Sequence, residues 1–243
     1  MSDRVGAAAS GPERSGGKTS PVSAARGSES SVERVLHVVA HGTRSAAGQR
    51  QIRALADAVS RRRPDLDVRL SYVDVQHPRI AEAITPGSVV VPLLLSTGYH
   101  VRVDIAHAAA GNAVVAPPLG PDPALTDSLR RRLPACDAVV LAAAGSSDPA
   151  WRADIDTIAA QLGAHVAYVS GSRRRVPDVV AELRRAGARR VAVAAYLLAD
   201  GLFFRSLHHA GADAVTAPLC HEPAVADLVV TRYEHLTTAV PAL

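Results

Sequence analysis

VLHVVAHGTR, residues 35–44, reads as a short apolar strand that runs into a glycine turn, and AVVLAAAGSS, residues 138–147, reads the same way. A nearly unbroken run of Val, Leu and Ala, short and closed by Gly, suits a strand covered on both faces, as in a parallel sheet. Working outward from the first run, Ala46–Arg62 has helical periodicity through Ile52, Leu55, Ala56 and Val59, and Pro64 stops it. Asp67–Val73 is a second strand, a short helix follows Pro78, and Ser88–Leu94 is a third strand ending at STGYH. A helix is expected over Val101–Ala110, a brief strand over Ala113–Val115 and a helix over Thr126–Arg132. From the second run, the strands are Ala138–Ala143, Ala164–Val169, Arg190–Leu197 and Ala214–Thr216. The helices between and after them are Trp151–Leu162, Val176–Ala186, Leu202–His209 and Glu222–Leu236. Strands alternating with helices predict an α/β chain with parallel sheets.

The two series share a register. His41-Gly42 falls on Ala144-Gly145 and Gly98 on Gly201, both at an offset of 103. Pro118-Leu119 falls on Pro218-Leu219, and Pro123-Ala124 on Pro223-Ala224, at an offset of 100. One small α/β unit used twice accounts for this spacing. The expected organisation is a disordered tail over residues 1–33, rich in Ser, Gly, Ala and Pro, then one lobe over 34–134 and a second over 135–243. The fold expected is two tandem Rossmann-like lobes, each a small parallel sheet flanked by helices.

Composition narrows the function. The chain has 243 residues, 48% of them hydrophobic, and a formal charge of +4 supplied almost entirely by Arg. That charge is mild, and no basic stripe with interleaved aromatics is present, which argues against nucleic acid as a partner. The Arg runs at 61–63, 130–132 and 173–175 sit in expected loops or helix ends, where they complement the helix dipole. Cys136 and Cys220 form no CxxC and no disulfide framework, as in a reducing cytosol, so a cytoplasmic protein is expected. No run of about 20 apolar residues suggests a membrane span, and the N-terminus lacks the apolar core of a secretory signal.

In parallel α/β sheets, ligands bind at the carboxyl ends of the strands. His41 follows the first strand and His100 follows the third, so the two converge on one edge of the sheet. Neutral imidazole is a common ligand of first-row divalent metals, and two histidines make an open shell suited to transient handling of a metal ion. Each is equally a residue that loops at strand ends carry for structural reasons. At the offset of 103, Ala144 replaces His41 and Phe203 replaces His100, and neither can ligate. One metal-handling lobe and one apolar lid through Leu202, Phe203 and Phe204 follow, a cleft that suits a flat aromatic ligand.

VVAHGTRSAAGQRQIRALA resembles the opening HG[ST] element of the sirohydrochlorin chelatases, the CbiX/SirB group of class II chelatases. SYVDVQHPRIAEAI resembles their second strand and turn, and VVVPLLLSTGYHVRVDIAHA their P-L-x-L-x-x-G-x-H-V-x-x-D-I element. The likeness is strong from about Val35 to Pro118 and mostly architectural from Ala138 to Tyr233. It implies a ferrochelatase-like fold and insertion of Fe²⁺ into sirohydrochlorin to make sirohaem, with Co²⁺ insertion for cobalamin as the alternative. It places the family's metal-binding histidines on His41 and His100. No organic cofactor is implied; the divalent metal ion is itself a substrate, and the protein is expected as a monomer or homodimer. Sirohydrochlorin is an octacarboxylate, so guanidinium groups are expected to rim the cleft, with Arg44 and Arg102 as candidates and Tyr99 as a lining residue. Asp74, at the end of the second strand, is a candidate carboxylate ligand or proton acceptor. Asp104, one helical turn past His100, either orients that imidazole or complements a helix N-terminus. His37 and His107 are read as structural, His77, His208 and His209 as loop or surface residues, and His221 as facing the cleft or solvent.

Two other classes of function are open to the same residues. A non-catalytic tetrapyrrole or metal carrier would need the cleft and not the chemistry. A small α/β hydrolase or phosphatase would need a nucleophile elbow or a Walker loop, and neither motif occurs.

Overall fold

The computed structural model describes residues 35–96, 98, 100–171 and 174–239, with only the backbone of His100, Val101, Arg102 and Ala239. The expected tail at 1–33 and Tyr99 lie outside the described residues. Eight strands build two four-stranded sheets. The first has the order β2 (Asp67–Tyr72), β1 (Val35–Ala40), β3 (Ser88–Pro92), β4 (Ala113–Val115). The second has β6 (His165–Tyr168), β5 (Ala138–Ala143), β7 (Val191–Tyr196), β8 (Ala214–Val215). All pairings are parallel, with Ala40 opposite Tyr72 in one sheet and Ala143 opposite Tyr168 in the other. The expected architecture of two α/β lobes is the one observed. In each sheet the chain goes outward to one side and returns to the other between the two central strands. That reversal opens a crevice beyond their carboxyl ends.

The helices follow local rules. In α1 (Ala46–Arg62) the Ser45 hydroxyl accepts from the Gly48 amide at 3.3 Å, and Ile52, Leu55, Ala56 and Val59 form the buried stripe. α4 (Pro123–Arg132) and α5 (Pro149–Leu162) each start with Pro behind an Asp whose carboxylate accepts an amide at 3.0 Å. The short α2 (Ile80–Ala83), α6 (Val176–Arg185), α7 (Leu202–Leu207) and α8 (Pro223–Ala239) complete the set, with α3 described below.

Most elements differ from expectation by one to three residues at an end, as α4 and α5 do by starting at Pro123 and Pro149, and two differences have a specific cause. β3 ends at Pro92, two residues short of Leu94, because proline has no amide to donate; the Leu93 amide still reaches Val39 O at 2.8 Å. The helix expected over Val101–Ala110 is a π-helical segment, His100–Ile105, that tightens into the short α3, Ala106–Ala109. Asp104 therefore stands off His100 on a wider turn than an α-helix would give.

One apolar core runs through both lobes. Leu36, Val38, Leu55 and Leu93 from the first belong to the same cluster as Leu141, Trp151, Ile155 and Tyr196 from the second. The last helix of each half reaches across: α8 packs on α1 and β3, and α4 contacts α5 and β7. Smaller clusters fill the outer faces, around Val39, Val90 and Ile105 on one side and Val140, Val179 and Val193 on the other.

Candidate active site

The loop after β1 is braced before it presents anything. The Asp74 amide donates to His41 O at 2.9 Å. Gly42 has φ +100°, and a Cβ there would stand 2.0 Å from Asp74 O, so the turn requires glycine. The Thr43 amide donates to Gln76 Oε1 at 2.9 Å, and Gln49 Nε2 donates to Thr43 O at 2.9 Å. The loop is thereby tied to α1 and to the end of β2. His41 itself is exposed at the mouth of the crevice.

The opposite wall comes from the second lobe and is clasped to α1. The Asp200 amide donates to Gln51 Oε1 at 2.6 Å, and the Ser45 hydroxyl donates to Asp200 Oδ1 at 3.4 Å. Between these two residues lies Gly48, where a Cβ would be 2.0 Å from Asp200 O. Three residues at helical spacing thus form one face against which the 198–201 loop lies. The loop then presents Leu202, 78% exposed, and Phe203, 40% exposed, together with Phe204. The floor is closed by Tyr196, whose hydroxyl donates to Leu95 O at 2.6 Å; burial pushes its pKa well up, so it stays a neutral donor. Trp151 packs on Gly98, where a Cβ would be 3.6 Å from Cδ1, and lies 5.8 Å from Tyr168, ring centre to ring centre.

These walls enclose a cleft of about 630 Å³. That is the size of a small-molecule site, largely apolar with a few polar groups. Among the described lining residues His41 is the one imidazole and Asp200 the one carboxylate. No group of three or more His, Cys, Asp or Glu side chains that could hold a metal ion occurs among the described residues.

The expected site residues distribute as follows. His41 lines the cleft, and so do Leu202, Phe203 and Phe204. His100 opens the π-helical segment next to the lining residue Gly98. Arg102 is two residues further along it, and nothing is described of either side chain. Arg44 is exposed, one position beyond the lining residue Thr43. Asp74 is also outside the described lining. Its carboxylate is held below the usual range by the Val75 amide and by Arg79, which donates to it at 2.8 Å. Asp104 is half-buried on the π-helical segment. His37 is fully buried within β1, His107, His77, His208 and His209 are exposed, and His221 contacts Gln51 Nε2 at 3.0 Å away from the cleft lining. Sequence reasoning missed Asp200, Trp151 and Tyr196. Their register partners, Thr97, Gly48 and Leu93, carry no comparable chemistry, so the duplication had no signal for them.

Comparison with known proteins follows this geometry. The CbiX family model matches residues 35–136 and 138–236, so both halves of the chain match. No curated protein sequence matches. Among solved structures, SirB from Bacillus subtilis with Fe³⁺ superposes with a TM-score of 0.70 at 21% identity, over 84% of this chain and 95% of that one. The sirohydrochlorin chelatase SirB from Bacillus subtilis subspecies spizizenii, in complex with cobalt, gives 0.66 at 22% identity, over 85% and 96%. CbiX, the terminal enzyme for biosynthesis of siroheme in denitrifying bacteria, gives 0.62 at 21%, over 83% and 99%. At these identities the likeness is one of fold.

Proposed function

Because the chain belongs to the CbiX family, with both of its halves matching, we propose that it is a chelatase that inserts a divalent metal ion into sirohydrochlorin. Fe²⁺ is the metal we favour, giving sirohaem; Co²⁺ is the alternative, and the structural neighbours include a SirB with Fe³⁺ and a SirB in complex with cobalt. The observation that carries the reading is the pairing across one cleft of His41 with the apolar wall at Leu202–Phe204.

The chemistry asks for few parts. Metal insertion removes two pyrrole N–H protons and moves the ion from protein ligands to ring nitrogens. Imidazole, titrating near neutrality, both binds a divalent ion loosely and accepts a proton. His41 and His100 are the proposed pair for those roles. The macrocycle would lie flat between the lobes, its faces on Leu202 and Phe203. Residues 34–134 would then be the metal-handling lobe and residues 135–243 the lid. Arg44 and Arg102 are the proposed rim contacts for ring carboxylates, with Tyr99 beside them; Asp74 is the proposed carboxylate ligand or proton acceptor, and Asp104 the group that orients His100. The macrocycle and the metal ion are the only partners the reading requires.

The test is anaerobic mixing of the protein with sirohydrochlorin and Fe²⁺ or Co²⁺, followed by absorption. Insertion should run faster than in the protein-free control with at least one metal. His41→Ala and His100→Ala should each slow it about 100-fold or more, the scale of a lost proton acceptor. No acceleration with either metal would sink the enzyme reading, and tight binding without acceleration would make the protein a carrier.

A further inference from the structure

The second lobe has a chamber onto which one arginine and several hydroxyl groups face. At the end of β6, the chamber of about 360 Å³ is lined by Ser146, Ser147, Arg152, Tyr168, Ser170 and the glycines between them. It opens on the central cleft, which shares Gly145, Ser146 and Ser170 with it.

The two corners are built on the same backbone. Val73 and Asp74 donate their amides to Ala40 O and His41 O at 2.9 Å; Val169 and Ser170 donate theirs to Ala143 O and Ala144 O at 2.9 Å. Tyr72 bridges Arg79, and Tyr168 bridges Arg175. Gly42 and Gly145 have φ +100° and +106°, each closing on the next strand end. Two replacements on this shared frame change its charge. Asp74, whose carboxylate takes up Arg79 at 2.8 Å, is replaced by Ser170. Arg175 is exposed, and among the described residues its guanidinium donates to Gly171 O at 3.5 Å. Gln49, which ties the loop through Thr43 O, is replaced by Arg152, which ties it through Ser147 O at 2.9 Å and brings a full positive charge. The amide of Thr43 is capped by Gln76 Oε1, and the Ser146 amide stands at the corresponding position of the second lobe. Arg152 is the one charged group of the described lining. The neighbouring Asp148 carboxylate accepts from the Ala150 amide at 3.0 Å as the cap of α5.

We propose that this chamber is a carboxylate subsite, in which an acidic side chain of the molecule in the cleft takes the place that Asp74 fills in the first lobe. The assignment rests on the tetrapyrrole reading above, since it needs a cleft ligand that carries carboxylates. Arg152 supplies the charge, with the hydroxyls of Ser146 and Ser147 and the Ser146 amide as further donors. The lid would then orient the macrocycle as well as cover it.

Trp151 is the only tryptophan in the chain and lines the cleft, so its fluorescence reports binding of metal-free sirohydrochlorin. Wild type, Ser170→Asp, Ser170→Asn and Arg152→Gln are titrated with it, and each variant's melting curve is recorded. Ser170→Asp restores the first lobe's carboxylate, and Ser170→Asn controls for its size. Ser170→Asp should bind about ten-fold more weakly than Ser170→Asn, and Arg152→Gln about ten-fold more weakly than wild type, the scale of one hydrogen-bonded charge contact. If wild type does not bind sirohydrochlorin, the tetrapyrrole reading fails. If wild type binds and both the Asp–Asn pair and Arg152→Gln show equal affinities, that reading stands and the subsite is overturned. Should Ser170→Asp not fold, Arg152→Gln decides alone.

Discussion

His37 lies inside β1 and His41 just past its end, and the two meet opposite environments. His37 is fully buried, with Nε2 3.1 Å from Thr85 Oγ1 and Nδ1 without a partner. Burial, and then the Arg69 charge, lowers its pKa from 6.5, so the folded state holds it neutral. The unfolded chain takes up that proton first on acidification, so the stability linked to His37 is present above pH 6.5 and lost as pH falls below it. Asp74, Asp137 and Asp213 are shifted below 3.8 and lose their contribution only in stronger acid. Thermal melts between pH 7.5 and 5 should therefore show a falling Tm in wild type and a flatter profile in His37→Gln; identical slopes would refute the linkage. At this scale His37 and His41 were legible because a place inside a doubly covered strand and a place at its end sort a histidine into core or crevice. Asp200 was not: its place in the cleft depends on Ser45 and Gln51, 155 and 149 positions away.

Helix α1 could be read to its last residue, because a regular apolar stripe and Pro64 agree. Its polar face could not, since Ser45, Gly48 and Gln51 acquire meaning only from the loop that lies on them. Gly48→Ala tests that face. A methyl group 2.0 Å from Asp200 O forces the loop off the helix, at a cost of about 1–3 kcal/mol. Calorimetry should show the loss of stability. Metal insertion should fall with it, because the wall at Leu202–Phe204 moves away from His41. Gln51→Ala, which removes the partner of the Asp200 amide without adding bulk, should cost about 1 kcal/mol. The π-helical turn at His100–Ile105 belongs to the same scale and had no signature in the periodicity; GYHVRVDIAHA fits an α-helix equally well.

The offset of 103 made the duplication visible, yet it described two units side by side, and the packing joins them more closely than that. α8 lies on α1 and β3 of the first lobe, and α4 contacts β7 of the second, so the closing helix of each half completes the core of the other. Ion pairs fasten the same seam: Arg232 holds the Asp122 carboxylate at 3.0 Å and also donates to Pro118 O and Leu119 O. The Tyr196 hydroxyl crosses to Leu95 O, and Gly120 is without a side chain where these two meet, a Cβ there standing 2.2 Å from that hydroxyl. Neither lobe can unfold while the other keeps a dry interior, because Leu36, Leu93, Leu141 and Tyr196 share one cluster. Unfolding should then be a single transition. Trp151 fluorescence, which reports the packing where the lobes meet, and far-UV circular dichroism, which reports the helices and sheets of both, should give coincident denaturant curves, and calorimetric and van't Hoff enthalpies should agree. Tyr196→Phe, which removes the bond to the part-buried Leu95 O, should move the whole curve by about 1 kcal/mol and leave it single. Two resolved transitions would mean that the lobes are independent and that the shared core contributes little to holding the cleft in shape.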